Sequence, residues 1–76
     1  MRNAYLVVVE YQINNALTSM FDLHRCFEEF LGEANYIDGM NGDNPSPLIK
    51  NALKGLDEAI YQKQLVKDFI EEVQHG

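Results

Sequence analysis

The hydrophobic positions in the first half of the chain recur every three or four residues, as they do along one side of a packed helix. Proline and glycine are both absent between Leu6 and Leu31, so nothing in this stretch interrupts a helix. The pattern predicts a helix over residues 3–33, with Asn3 as its N-cap and Gly32 near its end. The apolar row of this helix consists of Val9, Ile13, Ala16, Met20, Leu23, Phe27 and Phe30.

The segment from Tyr5 to Tyr11 also fits a β-strand, because it is rich in β-branched and aromatic residues. Against that alternative, the helical register of Leu6, Val9 and Ile13 continues into the following residues without a turn signal. The chain also offers no second strand with which this one would pair. We therefore expect a helix here, and a strand that pairs across a dimer is the alternative.

A second periodic stretch predicts a helix over residues 47–74. Ser46 and Pro47 form a good start signal, with a capping hydroxyl followed by a proline whose missing N–H costs nothing in the first turn. The intervening residues 34–46 contain two glycines and several asparagines and aspartates, which predict a loop. The row along the second helix consists of Ile49, Ala52, Leu56, Ala59, Lys63, Val66, Ile70 and Val73.

These elements predict an all-α fold, an antiparallel two-helix hairpin that forms a single domain over residues 1–76. A fold-back centred near residue 40 places Met20 opposite Ile60. On the same pairing Glu10 and Lys67 approach each other within about one helical turn, so we expect them to meet at the edge of the core and help to fix the register. The small residues on the second helix, Gly55 among them, are expected to accept bulky side chains of the first.

A chain of 76 residues is too short to stabilise itself easily, because it buries only about 60% of its unfolded surface. Cys26 is the single cysteine, so an internal disulfide is impossible. Self-association is the remaining source of stability, and we expect two hairpins to form a homodimeric four-helix bundle.

Each helix carries further hydrophobic residues away from its main row. A hairpin covers one row per helix, so an additional apolar surface indicates an interface with a second copy or with another protein. These interface candidates are Val7, Tyr11, Phe21, Tyr61, Leu65 and Phe69. The loop adds three possible contact residues, Tyr36, Ile37 and Met40.

The charge balance narrows the choice of partner. Twelve acidic and six basic residues give a net charge of −6, which repels phosphate backbones and anionic membrane surfaces. We therefore expect no direct contact with nucleic acid and none with a membrane. The apolar run from Leu6 to Val9 is far shorter than the roughly 20 residues of a membrane span, and a cytoplasmic location is expected.

Catalytic and metal-binding patterns are weak. His24 lies on the apolar side of the first helix without a second histidine or cysteine beside it, which is typical of a packed histidine bonded to a carbonyl or carboxylate. Cys26 is expected to be an inert small residue, because no neighbouring group is placed to activate its thiol as a nucleophile. Glu29 and Glu33 fall on the solvent side of the helix, so the carboxylates do not converge as a metal site requires. We expect no cofactor and no enzymatic activity.

The sequence therefore favours a small acidic protein-binding module that docks on another protein and inhibits or regulates it. Phage-encoded antagonists, antitoxins and adaptor subunits act in this way. One alternative is a nucleic-acid mimic that blocks a DNA- or RNA-binding protein, although the lysines of the second helix interrupt its acidic surface. Another is a purely structural subunit that only homo-oligomerises. The salt dependence of partner affinity distinguishes the docking module from the nucleic-acid mimic. A mimic loses affinity steeply as the salt concentration rises, whereas apolar docking does not.

Overall fold

The computed structural model describes residues 3–41 and 45–75, with side chains up to Glu33 and again from Pro45. It contains two helices, α1 over Ala4–Asn41 and α2 over Ser46–His75, which pack against each other as a hairpin. The molecule is a rod with extents of 60 × 15 × 14 Å. The predicted all-α helical hairpin is therefore confirmed.

The start of α1 follows the sequence signal. Asn3 Oδ1 accepts hydrogen bonds from the backbone N–H groups of Tyr5 at 2.8 Å and Leu6 at 3.3 Å. The backbone carbonyl of Asn3 accepts a further bond from Val7 N–H at 3.1 Å. Asn3 is thus the predicted N-cap, which satisfies N–H groups that lack an intrahelical partner. The strand alternative for residues 5–11 is wrong, because these residues belong to α1.

The far end of α1 differs from the prediction. The helix runs to Asn41, eight residues beyond the predicted end at residue 33, and the loop predicted over residues 34–46 is correspondingly short. Glycine costs about 1 kcal/mol relative to alanine inside a helix, which is a penalty and not a stop. No proline lies between Gly32 and Asn41, so the backbone hydrogen bonds continue through the glycines.

The second helix begins one residue earlier than predicted. Ile49 N–H donates to the carbonyl of Pro45 at 3.0 Å, so Pro45 occupies the N-cap position that the sequence assigned to Ser46. Ser46 is buried in the first turn. The helix ends at His75, one residue after the predicted end.

One inter-helix contact fixes the register of the hairpin. His24 Nε2 lies 2.8 Å from Asp57 Oδ1, so these two residues occupy the same level. Because the helices are antiparallel, a residue four positions before His24 lies level with the residue about four positions after Asp57. Met20 therefore lies within about one residue of the level of Ile60. The register agrees with the predicted fold-back near residue 40.

The core between the helices is small. Among the described side chains, Leu17 at 4% exposure and Ile70 at 2% are the buried hydrophobic residues. Two helices in contact cover only a narrow stripe on each, and the sides of the predicted apolar rows stay open to solvent. Four members of those rows are exposed, namely Leu23, Phe30, Val66 and Val73.

Gly55 does not have the predicted role within the hairpin. A Cβ built on this residue meets no atom within 4 Å, apart from its own helix backbone and chain neighbours. The expectation that Gly55 accepts a bulky side chain of α1 is therefore wrong for a single chain. Gly55 lies on the open side of α2, so a Cβ at this position is not directed toward α1.

Candidate interaction surfaces

The hairpin exposes more surface than its mass requires. Its accessible surface is 5747 Å². A compact monomer of 8.7 kDa exposes roughly 4,700 Å², so the excess is about 1,000 Å². Exposed large hydrophobic side chains occur along the length of both helices. Extended exposed apolar surface of this kind is typical of an interaction site.

One side of the rod carries two apolar rows with a spacing of seven residues. A seven-residue spacing keeps side chains on one side of a helix that packs against a neighbour. We call these rows the apolar face, and it consists of Val9, Ala16, Leu23 and Phe30 on α1 with Ala52, Ala59, Val66 and Val73 on α2.

The two rows of the apolar face lie on the same side of the hairpin. On each helix, every residue of the apolar face comes directly before an inward-facing residue in the sequence. In an antiparallel pair of helices, the two rows in this position lie on the same side of the pair. The register set by His24 and Asp57 also brings the rows level with each other, with Leu23 beside Ala59 and Val66 beside Ala16. The face is therefore continuous across both helices.

Charged residues are absent from this side over residues 5–30 and 48–73. The eight residues of the apolar face are all hydrophobic. The rows directly outside them are also uncharged, and they consist of Tyr5, Gln12, Ser19 and Cys26 on α1 with Leu48, Gly55, Gln62 and Phe69 on α2. The charged residues within these ranges lie on the inward-facing rows, on the backs of the helices or on the side of the rod opposite the apolar face.

The opposite side of the rod is polar and carries the contact that joins the helices. His24 Nδ1 lies 2.8 Å from Glu28 Oε1, and its Nε2 lies 2.8 Å from Asp57 Oδ1. We call these three residues the His24 bridge. Glu28 and Asp57 belong to the rows that follow the inward-facing residues, which places this side opposite the apolar face.

The geometry of the bridge favours the protonated imidazole. An ionised carboxylate only accepts hydrogen bonds, so both ring nitrogens donate at once only in the imidazolium form. The hydrogen bond to Glu28 is the largest cause that raises the pKa of His24 above its ordinary value of 6.5, and the hydrogen bond to Asp57 and the charges of both carboxylates act in the same direction. Partial desolvation opposes the shift without cancelling it.

The sequence predicted a packed histidine bonded to a carbonyl or a carboxylate, and the structure shows two carboxylates. The sequence itself indicates Glu28 as a partner of His24, since residues four apart are neighbours on a helix. The Asp57 partner had none, because it depends on the register between helices.

The six predicted interface residues, Val7, Tyr11, Phe21, Tyr61, Leu65 and Phe69, are all exposed. Phe21 and Tyr61 lie on the polar side at nearly the same level, because Phe21 comes three residues before His24 and Tyr61 four residues after Asp57. The hairpin thus brings these two aromatic side chains close to the His24 bridge.

The other four are spread around the rod. Val7 and Tyr11 lie on the polar side near the chain ends, and Tyr11 occupies the position on α1 that corresponds to Tyr61 on α2. Leu65 points outward on the back of α2, and Phe69 lies beside the apolar face. The six residues therefore do not form a single continuous patch.

Two further predictions concern the loop and the register. The side chains of Tyr36, Ile37 and Met40 lie outside the described part of the chain. Within residues 3–33 and 45–75, Glu10 and Lys67 form no ion pair within 4.0 Å, and Glu10 Oε2 is buried without a hydrogen-bond partner. The register contact is the His24 bridge, because Glu10 lies about four residues off the level of Lys67.

Other kinds of site are not found in the described residues. No cavity is enclosed between the two helices, and no group of three histidine, cysteine or acidic residues is placed to hold a metal ion. Neither helix, over its described residues, is long and apolar enough to cross a membrane. Cys26 is exposed with a free thiol.

No protein-family model matches the chain, and no curated protein or solved structure matches it either.

Proposed function

We propose that this chain is a non-enzymatic protein-binding module that dimerises into a four-helix bundle and docks on another protein in the cytoplasm, which it inhibits or regulates. The observation that carries the proposal is the set of exposed large hydrophobic side chains along both helices, on a hairpin whose total accessible surface exceeds that of a compact monomer of this mass by about 1,000 Å². Among the described side chains, Leu17 and Ile70 are the buried hydrophobic ones, and association with another chain would bury more.

The polar side of the rod suits a different protein. Phe21 and Tyr61 stand exposed there beside the charged groups of the His24 bridge. Aromatic side chains surrounded by polar groups are typical of protein interfaces, and aromatic residues often supply most of the binding energy. The net charge of −6 favours a partner with a basic surface.

Site-specific photo-crosslinking in cells tests this role. A benzoylphenylalanine placed at Phe21 or at Tyr61 replaces one aromatic group by another and leaves the fold intact. We expect each variant to form a covalent adduct with one and the same foreign protein, which mass spectrometry identifies. The matched control carries the same group at Tyr5, which lies outside the polar side, and it should not form that adduct.

The identified protein is then purified and its affinity for the chain measured at low and high salt. Apolar docking predicts a modest change in affinity, together with a large loss for the Phe21→Ser, Tyr61→Ser double variant. A steep loss of affinity with salt, and none in the double variant, would indicate a nucleic-acid mimic instead. Adducts with a second copy alone would indicate a purely structural subunit.

A further inference from the structure

We propose that a second copy of this chain covers the apolar face, so that the self-interface lies on the side opposite the His24 bridge. The inference rests on the proposed dimer and names the surface that forms it. The six interface residues predicted from the sequence lie mainly elsewhere, so the assignment differs from the one that sequence periodicity favours. The polar side then remains free for the foreign partner.

The chemistry of the apolar face suits a copy of itself. Over residues 5–30 and 48–73 the face and the rows directly outside it carry no charge. A strongly acidic or basic partner would find nothing there with which to pair, whereas an identical face is equally uncharged. Depletion of charge at the centre is the compositional mark of interfaces that stay buried.

The area also agrees with a dimer. A stable interface of standard size buries about 800 Å² on each partner. The hairpin exposes about 1,000 Å² more than a compact monomer of its mass, which is sufficient for one such interface. From Val9 to Phe30 the face runs for about 32 Å at 1.5 Å per residue, so it extends along half of the 60 Å rod.

The face carries both large and small side chains, and in its central part these make it self-complementary. With a two-fold axis across the rod, Leu23 meets Ala16 of the second copy and Val66 meets Ala59 of the second copy. With the axis along the rod, Leu23 meets Ala59 and Val66 meets Ala16. At these central positions a large side chain faces a small one in either arrangement, which is what close packing of four helices needs.

The first test is the solution mass by light scattering of the wild type and two double variants. Leu23→Glu, Val66→Glu places charges on the apolar face. Phe21→Glu, Leu65→Glu is the matched control outside the face, and the four side chains are similarly exposed, at 43%, 47%, 50% and 47% in the order named. We expect a dimeric wild type, a dimeric control and a face variant whose dimer dissociation constant is raised by about 100-fold or more.

The outcomes separate the two proposals. A monomeric wild type would overturn both the dimer and the assignment of its surface. A wild-type dimer that survives in the face variant would overturn the assignment alone and leave the dimer standing. The same holds if the control variant dissociates and the face variant does not.

The face variant could lose its fold together with its dimer, and a second measurement covers this case. Purified chains carrying benzoylphenylalanine at Leu23 or at Phe21 keep a large apolar side chain at each position. On illumination we expect a covalent dimer from the Leu23 position and at least tenfold less from Phe21. Equal yields, or a greater yield from Phe21, would overturn the assignment.

Discussion

Replacement of Ile70 by alanine tests how much of the stability comes from the contact between α1 and α2. Ile70 is 2% exposed, the most deeply buried of the described side chains. The substitution removes three carbon atoms, worth about 0.8 kcal/mol each when fully buried, or about 2.4 kcal/mol. The cavity left behind adds to this, and we expect a total loss of about 2–4 kcal/mol per chain.

Urea unfolding followed by far-ultraviolet circular dichroism measures the loss, at several protein concentrations so that dissociation is recognised. Leu65→Ala is the control, because Leu65 is 47% exposed and points away from α1. We expect the control to lose less than about 1 kcal/mol. If Ile70→Ala costs no more than Leu65→Ala, the packing of Ile70 does not hold the two helices together, and our account of the core is refuted.

Two further predictions concern the His24 bridge and the glycines. Because hydrogen bonds to Glu28 and Asp57 raise the pKa of His24, its contribution to stability is fully present below about pH 6.5 and is lost as the pH rises through the raised value. Melting temperatures of the wild type should therefore fall, relative to those of His24→Gln, as the pH rises above about 6.5, and parallel profiles would contradict the bridge. Gly32→Ala should stabilise the protein by up to about 1 kcal/mol, since Gly32, like Gly55, is helical and has open space around it. Gly55→Ala, beside the apolar face, should gain less in thermal unfolding, and equal gains would argue against a neighbouring chain there.

The helices could be predicted from the sequence because the signals that define them are local. The three- and four-residue spacing of apolar positions identified both helices, and Asn3 identified the start of α1. The end of α1 could not be predicted in the same way. Gly32 resembled a stop signal, but whether a helix continues past a glycine depends on a free-energy difference of about 1 kcal/mol that the residue type alone does not decide.

The division of the apolar positions between core and surface was not predictable from periodicity. Leu23 and Val66 fit the inward row of a helix as well as Met20 does, because adjacent rows differ by a fraction of a turn. The burial of Leu17 and Ile70 and the contact between His24 and Asp57 show how each helix is rotated and which rows remain open. Rotation is a property of the pair of helices, and a pattern read along one helix does not contain it.

The smallness of the core has a consequence for how a cell controls this protein. With only Leu17 and Ile70 deeply buried among the described hydrophobic residues, a single hairpin gains little from folding alone. When folding accompanies pairing, the folded amount at low expression grows with the square of the total concentration, so halving synthesis lowers it about fourfold. Unpaired chains are open to proteases. If the proposed dimer forms, the folded amount of the protein therefore responds more steeply than in proportion to gene dosage and to dilution at cell division.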